Sequence, residues 1–214
     1  ENITIKNLLV HTSGLPAFIE YYKMYDNSED VLKDIYSRKP EYETGTKMVY
    51  SDLGMITLAK IIEKVTGKSL DQFCKDEIFI PLGMKNTMYA PPVSLKENIA
   101  PTELDTYWRN RLLQGEVHDE NAFLLNGVAG HAGLFSTAGD LAKLLQMLLQ
   151  KGSYQGNQYI NPETVELFIK KESDLSTRAI GWDTKSPERS SAGNLFDITS
   201  YGHTGYTGTS VWTD

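Results

Sequence analysis

The chain has 214 residues, 40% of them apolar, and a formal net charge of −7, a composition that buries roughly 70% of the unfolded surface in one or two compact lobes. No window is basic enough for a nucleic-acid surface, and no apolar run approaches the roughly 18 residues of a membrane-crossing helix. Cys74 is the only cysteine, which excludes an internal disulfide; lying in an apolar-periodic stretch, it reads as core.

In chain order, Thr4 caps a short apolar helix over 5–10 that is too small to stand alone. Ser28-Glu29-Asp30 opens a helix to about Arg38, stopped by Pro40. The strongest helix starts at Ser51 and Asp52. Its apolar positions Leu53, Ile56, Leu58, Ile61, Ile62 and Val65 recur at helical spacing until Gly67. Ser69 opens another through Lys75, Pro81-Leu82-Gly83-Met84 reads as a tight turn, and Tyr89-Ala90-Pro91-Pro92 as extended loop. Ser136 or Thr137 caps a leucine-rich helix closed by Gly152, and Asn161-Pro162-Glu163 starts one with proline at its first position. Strand character is expected only late, at 179–184 and from Tyr201 onward, and 186–194 is a polar loop. Helices followed by strands give an α+β class, with a mostly helical lobe over 1–175 and a partial antiparallel sheet over 176–214 of the same domain. Both ends read as cut: the alternating residues 208–214 lack a returning strand, and the first helix lacks a cover. If the parent protein is exported, its signal is expected outside these residues.

Two triplets carry chemistry. Tyr50-Ser51-Asp52 leads into a helix and His203-Thr204-Gly205 into a strand; they resemble the second and third parts of the signature of penicillin-recognising serine enzymes, whose first part is Ser-x-x-Lys. No serine here has a lysine three residues later, and there is no Gly-x-Ser-x-Gly elbow. Thr44 and Thr57 do have such a lysine, but Thr44 sits in a turn and Thr57 within an amphipathic helix. With His11-Thr12-Ser13-Gly14-Leu15-Pro16, Thr44-Gly45-Thr46, Pro81 to Thr87 and Gly133 to Ala138, these blocks occur in the order found in the serine β-lactamase-like family of class C β-lactamases, DD-peptidases and family VIII esterases. The ending Ser210-Val211-Trp212-Thr213-Asp214 resembles the serine hydrolase domain that some Bacteroidetes proteins carry behind a glycosidase domain of the β-N-acetylglucosaminidase type.

The resemblance implies a β-lactamase/transpeptidase-like fold. It also implies acyl-enzyme hydrolysis of amide, lactam or ester bonds, a small or peptidoglycan-derived substrate, an extracytoplasmic location and no cofactor. The nucleophile is then expected upstream, in a parent chain that also holds a glycosidase domain, and these residues alone are expected to be inactive. The other reading is a non-catalytic muropeptide-binding module beside that glycosidase.

By resemblance Tyr50 is the tyrosine that shares the nucleophile's proton, and its place before a helix N-terminus predicts phenolate character. Asp52 stands where relatives usually place asparagine; a carboxylate reverses the hydrogen-bonding sign toward a substrate amide, and a helix-capping or first-turn role is equally open, as it is for Ser51. His203 replaces a lysine with a group of pKa ~6.5, which predicts weaker binding of a substrate carboxylate above neutral pH. Thr204 and Gly205 are assigned to substrate binding, and the N–H of Tyr206 or Thr207 to the second oxyanion donor.

His118, Asp119, Glu120 and His131 lack the spacing of a zinc helix motif, so no metal is expected and His118 reads as cleft lining or a ligand of a loop carbonyl. Gly127, Gly130 and Gly133 read as tight turns rather than a phosphate cradle. His11 reads as a cationic cap at a helix end. Tyr21, Tyr22 and Tyr25 read as an aromatic flap or a loop cluster, and Trp108 and Arg109 stay equally open.

Overall fold

Thr4 and Asn7 form a reciprocal capping box in the computed structural model, which describes residues 2–214: the Thr4 hydroxyl accepts from the Asn7 N–H at 3.2 Å and the Asn7 carbonyl from the Thr4 N–H at 3.0 Å. They start α1 (Ile5–Leu9). Helix α2 (Ser28–Ser37) starts where its sequence predicts, with Asn27 as its cap, the Asn27 side-chain carbonyl accepting the Asp30 N–H at 2.9 Å. Helix α3 (Asp52–Thr66) has Ser51 as its cap and ends on Gly67 in the left-handed region at φ 70°, as its sequence predicts. Leu53 and Ile56 on its inner face are fully buried, each contributing roughly 1.5–3 kcal/mol over an exposed position. Helix α4 (Leu70–Cys74) does not stop at Lys75 but runs on as a π-helical turn through Phe79.

The expectation of strands only near the C-terminus is corrected. Strands β1 (Met88–Tyr89), β2 (Glu103–Asp105) and β3 (Arg111–Leu113) precede α5 (Glu120–Leu124) and β4 (Leu134–Phe135); α6 (Ala138–Leu149), β5 (Ser153–Tyr154), β6 (Asn157–Gln158) and α7 (Pro162–Ile169) follow. Runs of two or three residues are too short to show a period of two. The pairs β1-β4, β2-β3 and β5-β6 are antiparallel ribbons. Strands β7 (Asp183–Thr184), β8 (Tyr201–Thr204) and β9 (Ser210–Thr213) form a three-stranded antiparallel sheet in that order, with Gly202 facing Trp212 and His203 facing Val211. The stretch predicted as strand from Ala179 forms one only at its end.

Two apolar cores hold these elements. One gathers Leu8, Val31, Ile35, Leu53 and Ile56 from α1, α2 and α3 with Ala122 of α5. The other joins Phe79, Leu82 and Met84 to Met147, Val165 and Tyr201, so β8 is anchored on α6 and α7, with Trp182 edge-on to Tyr201 at 5.6 Å. Two glycines let backbones meet near the site. A Cβ on Gly130 would stand 2.1 Å from the Met55 carbonyl oxygen of α3, and one on Gly202 would stand 2.2 Å from the Val211 carbonyl oxygen and 2.6 Å from the Trp212 ring. No described helix is long and apolar enough to cross a membrane.

Candidate active site

Tyr50 is fixed by its neighbours. The segment 11–17 runs beside 45–52: Gly45 N–H donates to Thr12 O at 2.8 Å, Val49 N–H to His11 O at 2.9 Å and Asp52 N–H to Ala17 O at 2.9 Å. Ser51 is fully buried and its hydroxyl is committed, donating to Pro16 O at 2.6 Å while capping the Gly54 N–H at 3.2 Å. Of the two readings open to it, the helix cap is therefore the observed one. Thr44 and Thr57 are likewise occupied, their hydroxyls donating to the Ser13 and Leu53 carbonyls.

His11 differs from the expected cationic cap. Its Nδ1 accepts the Ser51 N–H at 3.0 Å, which places the ring proton on Nε2, and its ring stacks on Tyr50 with centroids 4.1 Å apart. Burial, reinforced by the charge of Arg178 and by His203, pulls its pKa down to about 4, so it is a neutral wall behind the tyrosine. It sits at φ 57°, where the chain turns out of α1.

Tyr50 remains 38% exposed. The His203 ring centroid lies 6.1 Å from the Tyr50 centroid, and the Arg178 guanidinium carbon lies 5.1 Å from it. Burial and the Asp52 carboxylate push the Tyr50 phenol up, against a downward pull from Arg178. The phenolate character expected from the helix N-terminus is therefore outweighed within these residues.

His203 sits on β8 between two defined partners. Its Nδ1 faces the Thr204 carbonyl at 2.7 Å and so donates, while its Nε2 faces the Arg178 Nη1 at 3.0 Å and so accepts. This pairing makes the imidazole neutral. Burial lowers its pKa despite the Thr204 carbonyl, and Arg178 adds to the lowering. The permanent cation beside Tyr50 is thus Arg178, which sequence reasoning missed. Arg178 reaches the site because it bridges to Asp183, which pairs with Gly202 across the sheet, a placement only tertiary register supplies.

Thr204 is exposed at the end of β8, and Gly205 begins a turn closed by the Gly208 N–H donating to Gly205 O at 3.2 Å. Tyr206 and Thr207 occupy its centre, both exposed, and among the described residues neither N–H has a protein partner. Tyr206 lies edge-on to His118 at 5.5 Å.

The four residues His118 to Glu120 and His131 divide. His118 Nε2 pairs with Glu103 at 2.7 Å rather than with a loop carbonyl. His131 Nε2 donates to Asp119 Oδ1 at 2.9 Å, and Asp52 joins them, with one ligating atom of each within 4.8 Å of the others. Gly130, pressed on α3, carries His131 to this place. Burial pushes the Asp52 carboxyl up, and neighbouring Asp119 adds to it, opposed by His131. Against the upward push of its own burial, Asp119 is held below the usual range by the His131 hydrogen bond.

The tyrosines are not a uniform flap. Tyr21 is fully buried, and it and Tyr25 donate to Asp34 at 2.7 and 3.3 Å, while half-buried Tyr22 meets Trp108 at 5.1 Å between ring centroids. Arg109 ties the β2-β3 ribbon down, donating to Val117 O at 2.7 Å, to His118 O and to Asp105 at 3.2 Å. Asp105 also accepts the Tyr107, Trp108 and Arg109 N–H groups, each at 3.0 Å.

Known proteins resemble this chain in sequence and in fold. N-acetylmuramyl-L-alanine amidase of Bacillus subtilis (strain 168) is 38% identical over 98% of this chain and 52% of its own length. A protein of Escherichia coli (strain K12) named "Putative D-alanyl-D-alanine carboxypeptidase" is 35% identical over 97% of this chain and 53% of its own length. The chain therefore spans about half the length of these curated relatives. A penicillin-binding protein homolog from Caulobacter crescentus matches 99% of the chain and 62% of its own with a TM-score of 0.74 at 17% identity. FmtA from Staphylococcus aureus matches 99% and 55% with a TM-score of 0.67 at 21% identity. These two matches establish the fold, the β-lactamase/transpeptidase type with small antiparallel sheets. The Beta-lactamase family model matches residues 1–214, so a tyrosine before α3 and a His-Thr-Gly strand facing it stand on a chain that belongs to the beta-lactamase family.

Proposed function

We propose that this chain supplies the proton-transfer and carboxylate-binding side of a serine hydrolase that acts through an acyl-enzyme on amide, lactam or ester bonds of peptidoglycan-derived substrates. The observation that carries the reading is Arg178 bonded to neutral His203 and set over the Tyr50 ring at 5.1 Å. The names of the Bacillus subtilis and Escherichia coli relatives support the substrate class.

In this reading a serine hydroxyl attacks the scissile carbonyl and loses its proton as the C–O bond forms. Tyr50 takes that proton and passes it to the leaving amine or alcohol. Its raised phenol needs a cation nearby to act as base. Arg178 supplies one, and the lysine of a Ser-x-x-Lys segment in the longer gene product supplies the second. The Tyr206 or Thr207 N–H stabilises the oxyanion. Arg178 and Thr204 hold the substrate carboxylate, and Gly205 lets the strand backbone come close. Water then cleaves the acyl-enzyme. The family resemblance supports a location of the gene product outside the cytoplasm, and the resemblance of residues 210–214 supports a glycosidase domain in the same gene product.

Mass spectrometry of N-acetylmuramyl peptides incubated with the gene product tests this. Release of an alanine or of an alanyl peptide is expected, and its loss in Tyr50→Phe. Intact peptides that nevertheless bind would replace the reading with the muropeptide-binding module.

A further inference from the structure

The turn assigned to the oxyanion is bonded only to its own hairpin. Residues 204–210 are all exposed, and Tyr206 keeps 85% of its surface. Among the described residues every hydrogen bond of this stretch stays within β8 and β9. These are the ladder itself, Gly205 N–H to Thr209 O at 2.6 Å, Gly208 N–H to Gly205 O at 3.2 Å, and the His203 Nδ1 bond to Thr204 O. A tip tethered this way pivots as a unit on the sheet and carries the Tyr206 and Thr207 N–H groups with it. One ring contact leaves the hairpin: Tyr206 meets His118 with centroids 5.5 Å apart and planes at 88°, a geometry in which aromatic rings attract.

The His118 end of this contact is fixed from three sides. A Glu103 carboxylate only accepts, so His118 Nε2 donates to it at 2.7 Å, and Glu103 is itself held in the β2-β3 ribbon opposite Leu113. The Arg109 side chain, 4% exposed and paired with buried Asp105, holds the carbonyls of Val117 and His118. The next residue, Asp119, caps α5 by accepting the Ala122 N–H at 2.7 Å. The imidazole, with 11% of its side chain exposed, is thus a rigid stop on the helical lobe. Against it rests a tip of the sheet that nothing else in the hydrogen-bond pattern locates.

We propose that His118 is a positioning residue: by stopping the Tyr206 ring, it sets where the Tyr206 and Thr207 N–H groups stand when the oxyanion forms. The inference deepens the hydrolase reading and rests on it for the part those N–H groups play. Removing an oxyanion donor costs on the order of 100- to 1,000-fold in kcat. A donor that is kept but displaced costs part of that, roughly 10- to 100-fold. Such a bond strengthens as charge develops on the oxygen, so the loss falls on kcat and leaves KM nearly unchanged.

The test is steady-state hydrolysis of p-nitrophenyl butyrate by the gene product and by its His118→Ala, His118→Phe, Tyr206→Ala and His118→Ala/Tyr206→Ala variants. Rates are taken per site titrated with a fluorophosphonate, so that unfolded protein does not count as lost kcat. His118→Ala should lower kcat roughly 10- to 100-fold with KM within about threefold. Tyr206→Ala, which removes an exposed ring and keeps the backbone N–H, should do the same. The double variant should be no slower than the slower single one, because both substitutions break one contact. His118→Phe keeps the ring, drops the Glu103 bond and should regain most of kcat. If His118→Ala fails to fold, Tyr206→Ala and His118→Phe carry the test. Unchanged kcat in either folded alanine variant, losses that multiply in the double variant, or a His118→Phe as slow as His118→Ala would overturn the proposal. An active wild type with indifferent variants removes this inference alone, whereas a wild type that hydrolyses neither ester nor muramyl peptide removes the hydrolase reading and this inference with it.

Discussion

His11 offers a stability change whose size follows from the structure. It is 4% exposed, accepts the Ser51 N–H, and has a pKa of about 4 in the folded chain against 6.5 when unfolded. Protonating it removes the lone pair that Ser51 uses, so the unfolded chain binds the proton first. The contribution of His11 is therefore fully present above pH 6.5 and is lost as pH falls toward 4. At about 1.4 kcal/mol per pH unit this amounts to about 3 kcal/mol in all, of which about 2 kcal/mol disappears between pH 7.5 and 5. The substitution to make is His11→Asn, since an asparagine carbonyl can accept the same N–H and tolerates the left-handed backbone at φ 57°. Urea unfolding of both proteins at pH 7.5, 6 and 5 isolates the effect, because carboxylate contributions are common to both. The wild type should lose about 2 kcal/mol more than the variant over that range. Parallel profiles would refute the assignment of His11 as a buried neutral acceptor.

The other predictions concern the cleft and its frame. Arg178→Gln in the gene product should lower kcat/KM for a carboxylate-bearing peptide roughly 10- to 150-fold, the worth of one charge-assisted hydrogen bond of about 1.5–3 kcal/mol, with little change for the same peptide capped as an amide. Because His203 is neutral and lowered while Arg178 keeps its charge, KM for that peptide should stay flat from pH 6 to 8; a transition near 6.5 would instead reinstate histidine as the titrating ligand. Gly130→Ala drives a Cβ to 2.1 Å from the Met55 carbonyl oxygen, and urea denaturation should show a loss of roughly 1–3 kcal/mol. An unchanged midpoint would mean the loop does not bear on α3.

Local signals made much of the fold legible. Ser51 and Gly67 marked α3 because an N-cap and a left-handed terminator act within one turn of the residues they end. The β1-β4 ribbon was not legible, since Met88 and Tyr89 become a strand only by meeting Phe135 and Leu134, more than forty residues away. The candidate site divides along the same line. Tyr50 and His203 sit in contiguous triplets that sequence can carry. Arg178 enters through the register of β7 on β8, and His131 joins Asp52 only because Gly130 lets its loop touch α3. The lowering of the His203 pKa is illegible for the same reason: its partner Arg178 lies twenty-five residues away and no motif announces it.

The most direct test of the central claim is intact mass spectrometry of the gene product containing this chain after reaction with a serine-reactive fluorophosphonate, beside its Tyr50→Phe variant. The account predicts one covalent adduct on the serine of a Ser-x-x-Lys segment, formed at least roughly 100-fold more slowly without the Tyr50 hydroxyl. A gene product that stays unmodified, or an adduct that forms equally fast in the variant, would contradict it.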